Sequence, residues 1–232
     1  MGRENKKDVV AALHREQIMK AAEKLFSEKG YVQTTIDDIS KASEYSRRTI
    51  YAYYENKDDI LHHIIEKGLQ TLKVDIENAV NRDDDFVGKY KAICMAMSKY
   101  QREYPHSVYN VNSANSANFD FSGISDTVKN ILLLGTEINT VLASFIETGK
   151  KNGIVRKDIV PMLTVYVLWS SITSLLTLTD TQGQFICNQF SISENEFLDY
   201  GFKQLINSIL EVRIWDEKQY LDYLSCMRWK NP

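Results

Sequence analysis

The chain has 232 residues, 44% of them apolar and 25% charged, and a net charge of −3. An aromatic content of 11% excludes a disordered chain, and only three prolines favour long helices over many short strands. Cys94, Cys187 and Cys226 form neither a CxxC pair nor a disulfide framework and suit a reducing compartment. The opening MGRENKKDVV lacks the apolar core of a secretory signal, so a cytoplasmic protein is expected.

Val9, Ala12, Leu13, Ile18, Ala21, Ala22, Leu25 and Phe26 recur at helical spacing and predict a helix over about 8–29, stopped by Gly30. Thr35 caps a short helix with Asp37 and Asp38 in its positive first turn, and Ser46 caps another. Asn56 caps a fourth helix, to about Asn81. The Asp83–Asp85 cluster opens a fifth, reaching Tyr104, and a short helix is expected over 107–119. Ser125 or Asp126 begins a helix of roughly 39 Å that ends at Asn152-Gly153. The next runs from Asp158 to about Gln182-Gly183. Its stretch Ile159–Thr179 carries no charge and is long enough to span a bilayer. Pro161 and seven Ser or Thr residues make it a helix packed among protein neighbours instead, so no membrane partner is expected. Ser193 and Glu196 form a capping box for a helix to about Arg213, and a last short helix is expected over 217–227. No alternating run of strand length occurs, and the chain reads as all-α.

Residues 35–54, TIDDISKASEYSRRTIYAYY, are the informative segment. Two short helices joined by Ser43-Glu44-Tyr45 form a helix-turn-helix, whose second member presents its N-terminal side chains to the major groove. Arg47 and Arg48 are adjacent and splay apart, so one can meet a guanine edge while the other grips a phosphate. Thr49 can touch a base methyl, and Tyr51 and Tyr53 can donate to phosphates. Thr35 and Lys57 would clamp the DNA backbone from either side. Residues 1–60 hold eleven basic and eleven acidic side chains, so affinity for DNA must come from local clustering.

The run I18-M-K-A-A-E-K-L-F-S-E-K-G30, then Y-V-Q-T-T-I-D-D-I39, then S46-R-R-T-I-Y-A-Y-Y-E-N-K57 resembles the N-terminal signature of the tetracycline-repressor (TetR) family. The resemblance covers about residues 11–70. It implies an N-terminal three-helix DNA-binding head, residues 1–56, and a larger helical ligand-binding and dimerisation body, residues 57–232. It also implies DNA contact by Thr35, Ser46, Thr49, Tyr51 and Lys57, with Arg47, Arg48 and Tyr53 on variable contacts. The family's turn is usually Ala-Gly-Val. Ser43-Glu44-Tyr45 departs from that, and glutamate at a positive φ would cost about 1 kcal/mol relative to glycine.

In the body, Met95, Tyr104, Tyr109, Phe119, Phe145, Tyr166 and Trp169 are candidate walls for a small apolar ligand. Ser170 and Ser174 offer close helix approach, and Phe197, Gly201, Phe202, Leu205 and Ile209 a broad apolar face. Both sets are candidates for a homodimer interface. No metal site, cofactor motif or catalytic motif is present in the pattern, so no enzyme is expected. The expected function is a DNA-binding regulator, a repressor released from a palindromic operator by its ligand. The rival is a protein–protein interaction module whose helix-turn-helix no longer reads DNA.

Overall fold

The computed structural model describes residues 3–105 and 124–212, and among them the secondary structure is helical. The helices are α1 (Arg3–Lys29), α2 (Ile36–Ser43), α3 (Arg47–Tyr51), α4 (Lys57–Asn81), α5 (Phe86–Glu103), α6 (Asp126–Lys151), α7 (Pro161–Phe190) and α8 (Glu194–Asn207). The short helices expected over 107–119 and 217–227 lie outside the described residues. The described residues form two compact units, one drawn from Met1–Thr71 with Arg102–Gly135 and the other from Leu72–Gln101 with Thr136–Pro232. The division thus falls inside α4 and not at the expected 56/57 boundary. Ile60, Leu61, Ile64 and Ile65 of its first half are buried, so these turns of α4 are core rather than linker.

In the first unit, α1 packs on α2, and the core is built from Ile18, Ala22, Phe26, Ile39, Ile50 and Tyr54. The caps form as local chemistry dictates. Thr35 accepts from the Asp38 amide while the Asp38 carboxylate accepts from the Thr35 amide, a complete capping box. Ser46 accepts from the Thr49 amide at 3.1 Å, and the Asn56 side chain accepts from the Asp59 amide at 2.9 Å.

Between α2 and α3, Glu44 takes a left-handed conformation with φ 61° and ψ 15°. Only glycine adopts this region without a Cβ penalty. Tyr45 avoids the crowding its size invites by lying along α1. Its hydroxyl donates to the Gln17 side chain and its ring centroid sits 4.9 Å from that of His14.

In the second unit, α7 and α8 form an antiparallel pair whose close approach needs Gly201. A Cβ there would collide with the Leu175 side chain. α7 starts at Pro161 and runs through Gly183 to Phe190, seven residues beyond the expected stop. Gly183 is buried against the Glu194 and Thr179 side chains, so it serves close packing, and Ser191 (φ 58°) makes the left-handed cap instead. The Ser193–Glu196 capping box forms as expected. α8 ends at Asn207 rather than near 213, because the following backbone is drawn into a short antiparallel pairing. Arg156 N–H donates to the Ile209 carbonyl at 3.0 Å, and Glu211 N–H to Ile154 at 2.9 Å.

Replacing Glu44 with glycine should stabilise the protein by about 0.5–1 kcal/mol, because the left-handed strain is relieved while the cost in unfolded-chain entropy is smaller. Urea denaturation measures this, and a destabilised Glu44→Gly protein would show that the glutamate side chain, not its backbone, dominates at the turn.

Candidate nucleic-acid interface

α3 is five residues long and is divided by its own periodicity. Ile50 is fully buried, while Arg47, Arg48 and Tyr51 are exposed, Tyr51 by 54%. Two cations and a phenol therefore share the outward face of a helix that follows a tight turn. Among the described residues no carboxylate pairs with Arg48. Arg47 is held: its Nη2 donates to Asp37 Oδ2 at 2.6 Å, and its Nε pairs with Asp37 Oδ1.

Other residues expected at this face are engaged inside the head. Thr35 and Ser46 spend their hydroxyls on caps; Thr35 Oγ1 donates to Asp38 Oδ2 at 2.6 Å, and the Ser46 and Thr49 hydroxyls lie 2.8 Å apart. Both caps remain exposed, so the amide groups of the first turns stay near the surface. Lys29 also reaches Asp38, at 2.6 Å. Hydrogen bonding from Lys29 and then Thr35 holds the Asp38 carboxyl well below the usual carboxylate range. A depressed carboxylate contributes stability that is complete above that range and is lost as pH falls below it.

Two expected contacts turn inward. Tyr53 is half-buried and points to α1, its hydroxyl 3.0 Å from His14 Nδ1 and its ring beneath Arg15 at 5.7 Å. Lys57 Nζ donates to the carbonyls of Tyr31 (2.8 Å), Thr34 (2.9 Å) and Val32 (3.5 Å), and lies 4.2 Å from the Tyr31 ring centroid. Its three N–H donors are thus spent on the loop between α1 and α2. Tyr31 in turn donates its hydroxyl to Asp58. The α1–α2 loop sits 23–26 residues before Lys57, which is why spacing along the chain does not reveal the arrangement.

In the second unit, an apolar cavity of about 30 Å³ is lined by Tyr90, Ile93, Met97, Leu142, Phe145, Ile146, Val165, Leu168, Trp169, Ile172, Ile206 and Ile209. Of the candidate ligand-wall residues, Phe145 and Trp169 both line this cavity. Met95 is 62% exposed and Tyr166 55% exposed, and neither lines the cavity. Tyr104 is half-buried and belongs to the first unit, while Tyr109 and Phe119 lie outside the described residues. Most of the lining is aliphatic, and such residues carry no signal that separates a pocket from ordinary core. A larger cleft of about 630 Å³ borders Phe86, Phe145, Glu77, Asp84, Lys89 and Thr148. Charged and polar side chains make up much of its wall, which suits an apolar ligand less than the smaller, apolar-lined cavity does. Phe86 and Phe145 stack at 4.3 Å, and Phe145 lines both spaces.

The expected dimer residues separate in the same way. Ser170 and Ser174 lie on α7, on a face continued by the exposed Leu163, Val167 and Phe185. Phe197, Phe202 and Leu205 are half-buried on α8. Gly201 faces Leu175 of its own chain, and Ile209 is buried at the cavity, so neither is a surface residue of the protomer in the way the sequence pattern suggested.

A three-helix head whose short last helix buries one side and bears two cations on the other defines the class of helix-turn-helix proteins. Residues 18–64 match the sequence model of the bacterial regulatory proteins of the tetR family. The HTH-type transcriptional regulator HbdR of Aromatoleum sp. (strain CIB) is 42% identical over 66 residues, 28% of this chain and 29% of that protein. The biofilm operon icaADBC HTH-type negative transcriptional regulator IcaR of Staphylococcus epidermidis is 42% identical over 52 residues, 22% of this chain and 28% of that protein. The match thus spans less than a third of the length of either relative. Among solved structures, the transcriptional regulator FadR from Bacillus subtilis in complex with stearoyl-CoA superposes with a TM-score of 0.62 at 17% identity, over 84% of this chain and 98% of that one. Over residues 18–64 the chain is similar to the tetR family, and the superposition shows that it shares the fold of that regulator.

Lys57→Ala should cost about 1–2 kcal/mol, since three charge-assisted hydrogen bonds at a half-buried site are lost, whereas an unengaged surface lysine would stay within about 0.5 kcal/mol. Chemical denaturation reads the difference, and a neutral substitution would contradict the clamp.

Proposed function

We propose that the protein is a dimeric, sequence-specific DNA-binding regulator that represses its target and is released by a small apolar ligand. The observation that carries the reading is the exposed α3 face, where Arg47, Arg48 and Tyr51 stand on a helix whose opposite side is locked into the head. An interaction module with a relict helix-turn-helix would have no reason to keep two arginines and a phenol together on that face. The relatives named as transcriptional regulators, one of them negative, support the same reading. Such a protein works in the cytoplasm and needs no cofactor.

Palindromic operators require paired heads, and the uncharged stripe of α7 through Leu163, Val167, Ser170 and Ser174 is the surface we assign to pairing, with α8 beside it. Val167 is 64% exposed in the protomer, so a charge there leaves the fold intact. Val167→Glu should sediment as a monomer with unchanged helicity and bind operator far more weakly; a dimer that persists would move the interface elsewhere.

The ligand is assigned to the apolar cavity around Phe145 and Trp169. At about 30 Å³ it is far below the roughly 300 Å³ that a small-molecule site occupies, so ligand must part α5, α6 and α7 to enter. α4 begins in the head at Lys57 and continues into the second unit, which makes it the connector through which that parting reaches the DNA face. By reciprocity, operator must weaken ligand by the factor by which ligand weakens operator, typically about 1–3 kcal/mol. An apolar ligand found by thermal shift is titrated calorimetrically with and without duplex DNA flanking the gene. Tighter binding without DNA is expected, together with a change in Trp169 fluorescence. Equal affinities would mean that the cavity is not a switch, and no retention of any duplex would remove the DNA-reading function itself.

A further inference from the structure

The two arginines of α3 have the same charge and adjacent positions, yet the head treats them differently. Asp37, in the first turn of α2, meets Arg47 at two points, Oδ2 with Nη2 at 2.6 Å and Oδ1 with Nε. That contact occupies the side edge of the guanidinium. It leaves the end edge, formed by Nη1 and the second N–H of Nη2, directed away from the carboxylate. Guanine presents O6 and N7 to two such N–H groups, so the free edge is the one a base needs. Arg48 is exposed, and among the described residues no carboxylate restrains it. An unrestrained side chain loses more rotamer freedom when it is fixed on a base, while a phosphate accepts a cation from many directions.

We propose that Asp37 is a positioning residue that sets Arg47 as the base reader, leaving Arg48 to the phosphate backbone. The inference rests on the DNA-reading function proposed above and deepens it. The adjacent carboxylate has a separate role, since Asp38 completes the α2 capping box and pairs with Lys29. The Asp37–Arg47 pair is largely exposed, 65% at Arg47 and 46% at Asp37, so it contributes little to folding. Its effect is on where the guanidinium waits. A carboxylate beside the groove also repels phosphates, which lowers affinity for unrelated DNA and raises the ratio between right and wrong sites.

The test is selection of bound duplexes from a random-sequence library by the full chain and by Arg47→Ala, Asp37→Ala, Asp38→Ala and Arg48→Ala. The full chain should enrich a site with guanine at one position per half-site. Asp37→Ala should lower the preference at that position about tenfold, within the range a bidentate arginine–guanine contact commands, and bind unrelated DNA more tightly. Arg47→Ala should lose the preference at the same position, and Arg48→Ala should weaken all sequences alike. Asp38→Ala should lower the melting temperature and leave the base preference in place, which separates positioning from folding. If Asp37→Ala keeps the full preference, or loses it at a position other than the one Arg47→Ala loses, the role of Asp37 is overturned while DNA reading stands. If the full chain enriches no sequence, both are overturned.

Discussion

A helix of five residues cannot hold itself together in water, because nucleating the first turn costs more than so few hydrogen bonds return. α3 therefore exists only because its inner side is fixed. Ile50 is fully buried, Tyr54 is 2% exposed with its hydroxyl donating to the Arg15 carbonyl at 3.1 Å, and Ser46 closes the N-terminus. This anchoring also sustains the left-handed Glu44, a strain that an isolated turn would release. Burial likewise pushes the Tyr54 phenol up to about 12, so it remains a neutral donor throughout the physiological range.

With the inner side fixed, the head gives three of its cations separate roles. Lys29 holds the start of α2 through Asp38, Lys57 holds the α1–α2 loop through three carbonyls, and Asp37 holds Arg47. Equal numbers of acidic and basic groups over residues 1–60 thus do not describe the charge of the outward face of α3. Asp38 and Asp37 neutralise bases that shape the head, while Arg48 stands exposed on α3 with no carboxylate paired to it among the described residues. Affinity built this way depends on placement rather than on net charge.

Features set by near neighbours were legible in the sequence. The caps at Thr35, Ser46, Asn56 and Ser193 need partners within three residues, and each forms as read. Glu44 was legible as a strained turn residue for the same reason. What depends on partners far along the chain was not. Tyr53 meets His14, 39 residues earlier, and Lys57 meets a loop more than 20 residues before it, so both resemble surface contacts until the fold is known. Gly183 carried the signature of a helix stop, but a neighbouring helix crossing near Glu194 turned it into a packing residue. In the second unit, aromatic and methionine content pointed to Phe145 and Trp169 and equally to Met95 and Tyr166, which are exposed. Periodicity cannot tell which side of an apolar helix meets a cavity and which meets water or another subunit.

If, as proposed, two heads each insert one anchored α3 into a major groove, they must leave a particular mark on DNA. Hydroxyl-radical footprinting of the full chain on its selected duplex reads that mark directly. Two protected patches on one face of the duplex, separated by about 10 base pairs or a multiple of it, are the expected result. Protection of a single patch, or uniform protection without spacing, would contradict a paired helix-turn-helix reader.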